Sequence, residues 1–144
     1  MSMDLITGEI IATSIRMHRD LGPGLLESVY ESILARLLQR RGLRVRRQQP
    51  VRITYAGMRF EDAFRADLII EDCVVVEVKA VARLDPVVHR QLLTYLRLLN
   101  LRLGLVVNFG EATLRCGVKR VVNNMPSDNL PQRMTKQPDD ELQP

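Results

Sequence analysis

Val74-Val75-Val76 is the stretch that most narrows the folds open to this chain. Side chains alternate between the two faces of a strand, so a run apolar at every position needs cover on both sides. It belongs to a β-rich segment, 73–79, preceded by a second one, 64–70. Only the polar pair Glu71-Asp72 separates them. Such close spacing predicts an antiparallel hairpin. Helices to cover it are legible in the same pattern. Residues 4–20 place Ile6, Ile10, Ile11, Ile15 and Met17 at three- and four-residue steps. Gly22-Pro23-Gly24 breaks that helix, and Pro23 suits the first turn of a second. The second helix has one face of Leu26, Val29, Tyr30, Ile33, Leu34, Leu37 and Leu38 and stops at Gly42, where a left-handed cap is wanted. Asp85-Pro86 opens a third helix to about Leu101, burying Val88, Leu92, Leu96 and Leu99. Residues 43–55 look extended and end in a turn at Tyr55-Ala56-Gly57, while 103–109 and 114–122 read as further strands. The expected class is α/β (mixed α+β), with a central mixed sheet of about five strands flanked by helices.

With 144 residues, 46% of them hydrophobic, the chain can bury one core. A single domain over 1–124 is expected, then a flexible Pro-rich tail over 125–144 holding four of the seven prolines. Charge interrupts every apolar run well short of ~18 residues, so no membrane span is expected. Met1-Ser2-Met3-Asp4 does not begin a signal peptide, and a soluble, cytoplasmic protein follows. Cys73 and Cys116 lack the spacing of a zinc site and read as buried free thiols. No phosphate-cradling glycine loop suggests ATP. The formal net charge is +4, and only three of the 21 basic residues are Lys. An Arg-rich basic chain points towards nucleic acid, although genome bias gives the same excess.

Asp67, Glu77 and Lys79 carry the chemistry. Glu77 and Lys79 are two apart on a strand, hence on one face and about 7 Å apart. A three-residue turn pairing Ile70 with Val74 puts Asp67 opposite Glu77, with Cβ atoms roughly 5 Å apart. Two carboxylates so placed repel, and one has a raised pKa unless a cation lies between them. Mg²⁺, a hard cation that takes carboxylate and water oxygens at about 2.0–2.1 Å, would relieve the repulsion. Lys79 could then orient a water or stabilise charge on a phosphate. The competing reading is a salt-bridged hairpin in which Lys79 merely neutralises Glu77. Glu27 sits at the margin of the second helix's apolar stripe, as either a third acid or an ordinary first-turn Glu. Gln91 and Tyr95, four apart, share a face of the third helix and can reach a phosphate or cap the core edge. Arg44, Arg46 and Arg47 lie among seven arginines in seventeen residues (36–52) with no acid between them. They are either a salt-sensitive contact for a nucleic-acid backbone or a solvated, charge-protected edge. Tyr30 is placed with them as a nucleic-acid contact. His18, near a helix C-terminus, is read as a dipole-stabilised structural residue.

These residues also resemble a known family. Gly24-Leu25-Leu26-Glu27-Ser28-Val29-Tyr30 matches the GxxExxY signature of small bacterial proteins named after it. Leu21-Gly22-Pro23, Arg65-Ala66-Asp67-Leu68, Glu77-Val78-Lys79, Gln91 to Leu96 and Gly104 to Gly110 match in order, over about residues 5–123. That group is similar to the PD-(D/E)xK nuclease-like superfamily. The resemblance implies a restriction-endonuclease-like core and Mg²⁺- or Mn²⁺-dependent cleavage of phosphodiester bonds. It implies metal ligation by Asp67, Glu77 and Glu27 and a catalytic Lys79, and makes Gln91 and Tyr95 a QxxxY element. Ala66 stands where the motif often has Pro. The expected partner is nucleic acid, DNA ahead of RNA, with a homodimer or larger assembly open. A different class of function, a non-catalytic nucleic-acid-binding or protein-interaction module on the same fold, is the alternative. A defence or toxin nuclease in a larger assembly is a third option.

Overall fold

Ser2 starts the first helix, its hydroxyl accepting the Leu5 N–H at 3.3 Å, a standard use of serine as N-cap. In the computed structural model, which describes residues 1–124, this helix (α1, Met3–Leu21) ends at Gly22 with φ 70°. The second helix (α2, Glu27–Arg40) begins later than Pro23 suggested. Tyr30 explains the delay. Its hydroxyl donates to the Gly22 carbonyl and accepts the Leu25 N–H at 3.1 Å, pinning 22–25 as a loop. The buried stripe of α2 is therefore Tyr30, Glu31, Leu34, Ala35 and Leu38, while Leu26 is 73% exposed. At its end Leu43 N–H reaches the Leu38 carbonyl past Gly42 at φ 84°, the expected glycine-bearing termination.

Five strands form one mixed sheet in the order β1-β2-β3-β4-β5. They are β1 (Val45–Tyr55), β2 (Met58–Ile70), β3 (Val74–Lys79), β4 (Leu103–Asn108) and β5 (Val118–Val122). Ala56 and Gly57, both left-handed, make the two-residue β1–β2 turn. β2 runs six residues further back than expected, because 58–63 is exposed on both faces and the brief alternation of Met58 and Phe60 with Arg59 and Glu61 breaks off at Asp62. Ile70 pairs with Val74 around a three-residue turn, as the spacing required. β3 then pairs with β4 in parallel, the connection being α3 (Val87–Leu99). Asp85 accepts the Val87 N–H at 2.9 Å to start α3, and left-handed Asn100 ends it. Residues 114–117 form a short helix, α4 (Leu114–Gly117), rather than the start of the last strand.

The valine run lies between two cores. Val74, Val76 and Val78 join Leu68, Ile70, Leu105 and Val107 under α1 and α2. Val75 joins Ile69, Val106, Leu92 and Leu96 beneath α3. Gly104 admits α3 closely, since a Cβ there would lie 2.9 Å from the Leu92 side chain. Tyr30 is fully buried and stacks on Phe109, centroids 4.5 Å apart. The expectation that Tyr30 touches nucleic acid is thus corrected: its ring is core, and its hydroxyl serves the loop. Tyr30→Ala should lower stability by about 3–5 kcal/mol in urea denaturation, through the cavity and the released loop. A loss under ~1 kcal/mol would contradict that role. Cys116 is exposed and Cys73 half-buried, so neither is the buried thiol expected, though both are free. Among the described residues no helix is long and apolar enough to cross a membrane. The tail from Met125 lies outside the described residues.

Candidate active site

The site forms where the β2–β3 ladder stops. Leu68 pairs with Val76, and one step further Asp67 stands opposite Glu77. There the side chains take over the main-chain donors. Asp67 N–H donates to Glu77 Oε1 at 3.2 Å, and Val78 N–H donates to Asp67 Oδ2 at 2.9 Å. Each carboxylate thus accepts an N–H from the other's strand, which fixes both at the fork.

β2 also changes face at this point. Residues two apart on a regular strand share a face. Ala66, however, packs with the α3 core and Leu68 with the α1–α2 core. Across from Asp67 on β1, between the pairs Arg47–Leu68 and Gln49–Ala66, stands Gln48, left-handed at φ 51°. Its amide donates to Glu31 Oε1 and Oε2 at 2.9 and 3.0 Å and to Asp67 Oδ1 at 3.3 Å. Asp67 can therefore face Glu77 and still be joined to a carboxylate from α2.

Burial decides the electrostatics. Glu77 is 7% exposed, and its pKa is pushed up to about 8, first by burial and then by the Asp67 charge; the Asp67 N–H and Lys79 oppose the rise. Burial likewise raises Glu31, against the Gln48 hydrogen bond. The pKa of the Tyr95 phenol is raised by burial and by the charges of Glu77 and Asp67, and its ring leans on Phe64 at 4.8 Å. Lys79 is half-buried and makes no ion pair within 4.0 Å among the described residues, although its charge favours the ionised form of Glu77.

The remaining expected residues are less concentrated. Gln91 is exposed, one turn before Tyr95. Glu27 is exposed in the first turn of α2, and its charge reaches Glu31. Glu31, four residues on, is the helix acid linked to Asp67, and sequence reasoning missed it. The available signal was its i+4 step to Ala35 on the buried face. The arginines meet acids supplied by folding rather than by local sequence. Arg44 pairs with Glu71 at 3.1 Å and Asp72 at 3.4 Å, Arg46 with Asp72, and Arg47 with Glu31 at 3.8 Å. His18 is buried, its Nε2 2.8 Å from the Glu111 carbonyl, tying α1 to the segment after β4.

Among the described residues no group of three or more His, Cys, Asp and Glu side chains is gathered closely enough to hold a metal. The fork offers two hard carboxylates with repelling charges and an adjacent lysine. That donor set suits a hard divalent cation whose other ligands are water or substrate oxygens. A family model described as the PD-(D/E)XK nuclease superfamily matches residues 4–121. No curated protein and no solved structure matches the chain.

Proposed function

The chain belongs to the PD-(D/E)XK nuclease superfamily, and on that footing we propose that it is a metal-dependent nuclease hydrolysing phosphodiester bonds, in DNA ahead of RNA. The observation that carries the proposal is the cross-held pair Asp67–Glu77, with Lys79 two residues along β3. Within the superfamily, the GxxExxY segment 24–30 suggests the small bacterial group of that name.

Asp67 and Glu77 would hold Mg²⁺ or Mn²⁺. When bound, such an ion neutralises the carboxylates and supplies Lewis acidity at the scissile phosphate. Glu77 must give up its proton to serve, because an ionised carboxylate is the ligand. Lys79 orients the attacking water and offsets charge developing on the phosphate oxygens. Tyr95, its phenol kept protonated, donates to a phosphate oxygen, and exposed Gln91 extends that contact outward. Glu31 acts on Asp67 through Gln48, and Glu27 adds negative charge at the exposed end of α2. Arg44, Arg46 and Arg47 would exchange their acidic partners for phosphates, which makes binding weaken steeply with salt.

One observation favours the second reading, a non-catalytic binding module. The pair without a cation keeps Glu77 protonated near neutral pH, and among the described residues no third acid joins it directly. Incubating the full chain with plasmid DNA and structured RNA, in Mg²⁺ or Mn²⁺ and with EDTA controls, separates the two. Metal-dependent cleavage abolished in Asp67→Asn supports the nuclease. Retention of nucleic acid without cleavage in either metal supports the module.

A further inference from the structure

We propose that Gln48 is a positioning residue, holding the Asp67 carboxylate in one orientation by bridging it to Glu31. The inference deepens the nuclease reading and rests on it for its metal readout alone. Three observations carry it. First, the Gln48 amide nitrogen lies 2.9 and 3.0 Å from the two Glu31 oxygens and 3.3 Å from Asp67 Oδ1. Surrounded by carboxylate oxygens, that end of the side chain has to be the donor. Second, Asp67 Oδ2 is already fixed by the Val78 N–H at 2.9 Å. The Gln48 bond is then the second anchor, and two anchors on opposite oxygens define the plane of the carboxylate. Third, Gln48 adopts φ 51° within β1, a conformation that disfavours any residue with a Cβ. Glycine would be better there for the backbone alone, so the side chain is what the position requires.

The bridge also offsets a charge conflict. Glu31 and Asp67 come from different elements and repel each other through space. An amide between them supplies donors to both without adding charge. Partners of this kind orient a ligand without touching the metal, and their loss typically weakens metal binding about 10- to 100-fold.

Gln48→Gly tests the assignment, because it deletes the amide and relieves the backbone. Backbone relief and loss of the bridge act in opposite directions on Tm, while Mn²⁺ affinity by titration calorimetry should fall at least ~10-fold. A lowered Tm with unchanged Mn²⁺ affinity would show that Gln48 is a structural strut and overturn the proposal. A metal-free readout separates this outcome from failure of the nuclease reading. In protein carrying ¹³C at aspartate carboxyls, the Asp67 signal, identified by its absence in Asp67→Asn, should shift or broaden in Gln48→Gly. An unmoved signal overturns the positioning role whether or not metal binds. A moved signal in a protein that takes no Mn²⁺ upholds the role and retracts the nuclease reading.

Discussion

Lys79→Ala should reduce metal-dependent cleavage by about 10²–10⁴-fold, the usual contribution of one well-placed proton-transfer or charge-stabilising group. Its fold should survive the change. Lys79 is half-buried at the end of β3, and its ammonium makes no ion pair among the described residues, so removing it strands no buried acid at hydrogen-bond distance. The main-chain bond from Phe109 N–H to the Lys79 carbonyl, 2.8 Å, does not depend on the side chain. Lys79 does lower the Glu77 pKa. The variant should therefore hold the Glu77 proton to higher pH and bind metal somewhat less well. Single-turnover cleavage at saturating Mn²⁺ separates these effects. A rate restored by excess metal would assign Lys79 to ligand electrostatics instead of to the reaction.

Without metal, the protein should lose stability as pH rises from about 4.5 to about 8. Glu77 has a folded-state pKa of about 8 against an ordinary 4.5. Across that window the folded chain keeps a proton that the unfolded chain has released, so rising pH favours unfolding. Glu31 is shifted in the same direction by the same cause and adds to the slope. The loss is of the order of a few kcal/mol and is complete above the folded-state pKa. Glu77→Gln should flatten the slope and be the more stable protein at pH 9, since its amide oxygen can still accept the Asp67 N–H. Added Mg²⁺ or Mn²⁺ should raise wild-type stability at pH 8–9 and leave Glu77→Gln unaffected. Urea titrations at several pH values check both. A wild-type stability flat between pH 5 and 9 would mean that Glu77 is ionised throughout.

The geometry of the candidate site was partly legible because short-range rules set it. The Glu71-Asp72 break and a three-residue turn set the β2–β3 register, and register alone brings Asp67 to Glu77. The run at Val74 foretold a strand covered on both faces, and two cores meet there. Periodicity also found the inner face of α3 through Leu92 and Leu96. What stayed hidden depends on side chains that override periodicity. The Tyr30 hydroxyl holds 22–25 as a loop, so α2 starts at Glu27 and turns Glu31 inward while Leu26 faces solvent. The change of face in β2 at Asp67 and the left-handed Gln48 beside it break the alternation from which faces are read. The acids that meet Arg44 and Arg46 lie 25 or more residues away in sequence, in the β2–β3 turn. Composition could show the basic run but not its neutralisation.

The most direct test of a metal-dependent centre is calorimetric titration of Mn²⁺ and Mg²⁺ into the full chain at pH 8, beside Asp67→Asn. At that pH the Glu77 proton is readily displaced, so binding should release protons and its measured heat should vary with the buffer's ionisation enthalpy. Saturable binding to the wild type, abolished in Asp67→Asn, is the expected result. No binding to the wild type, even beside an added oligonucleotide, would contradict it and make the two carboxylates part of the fold alone.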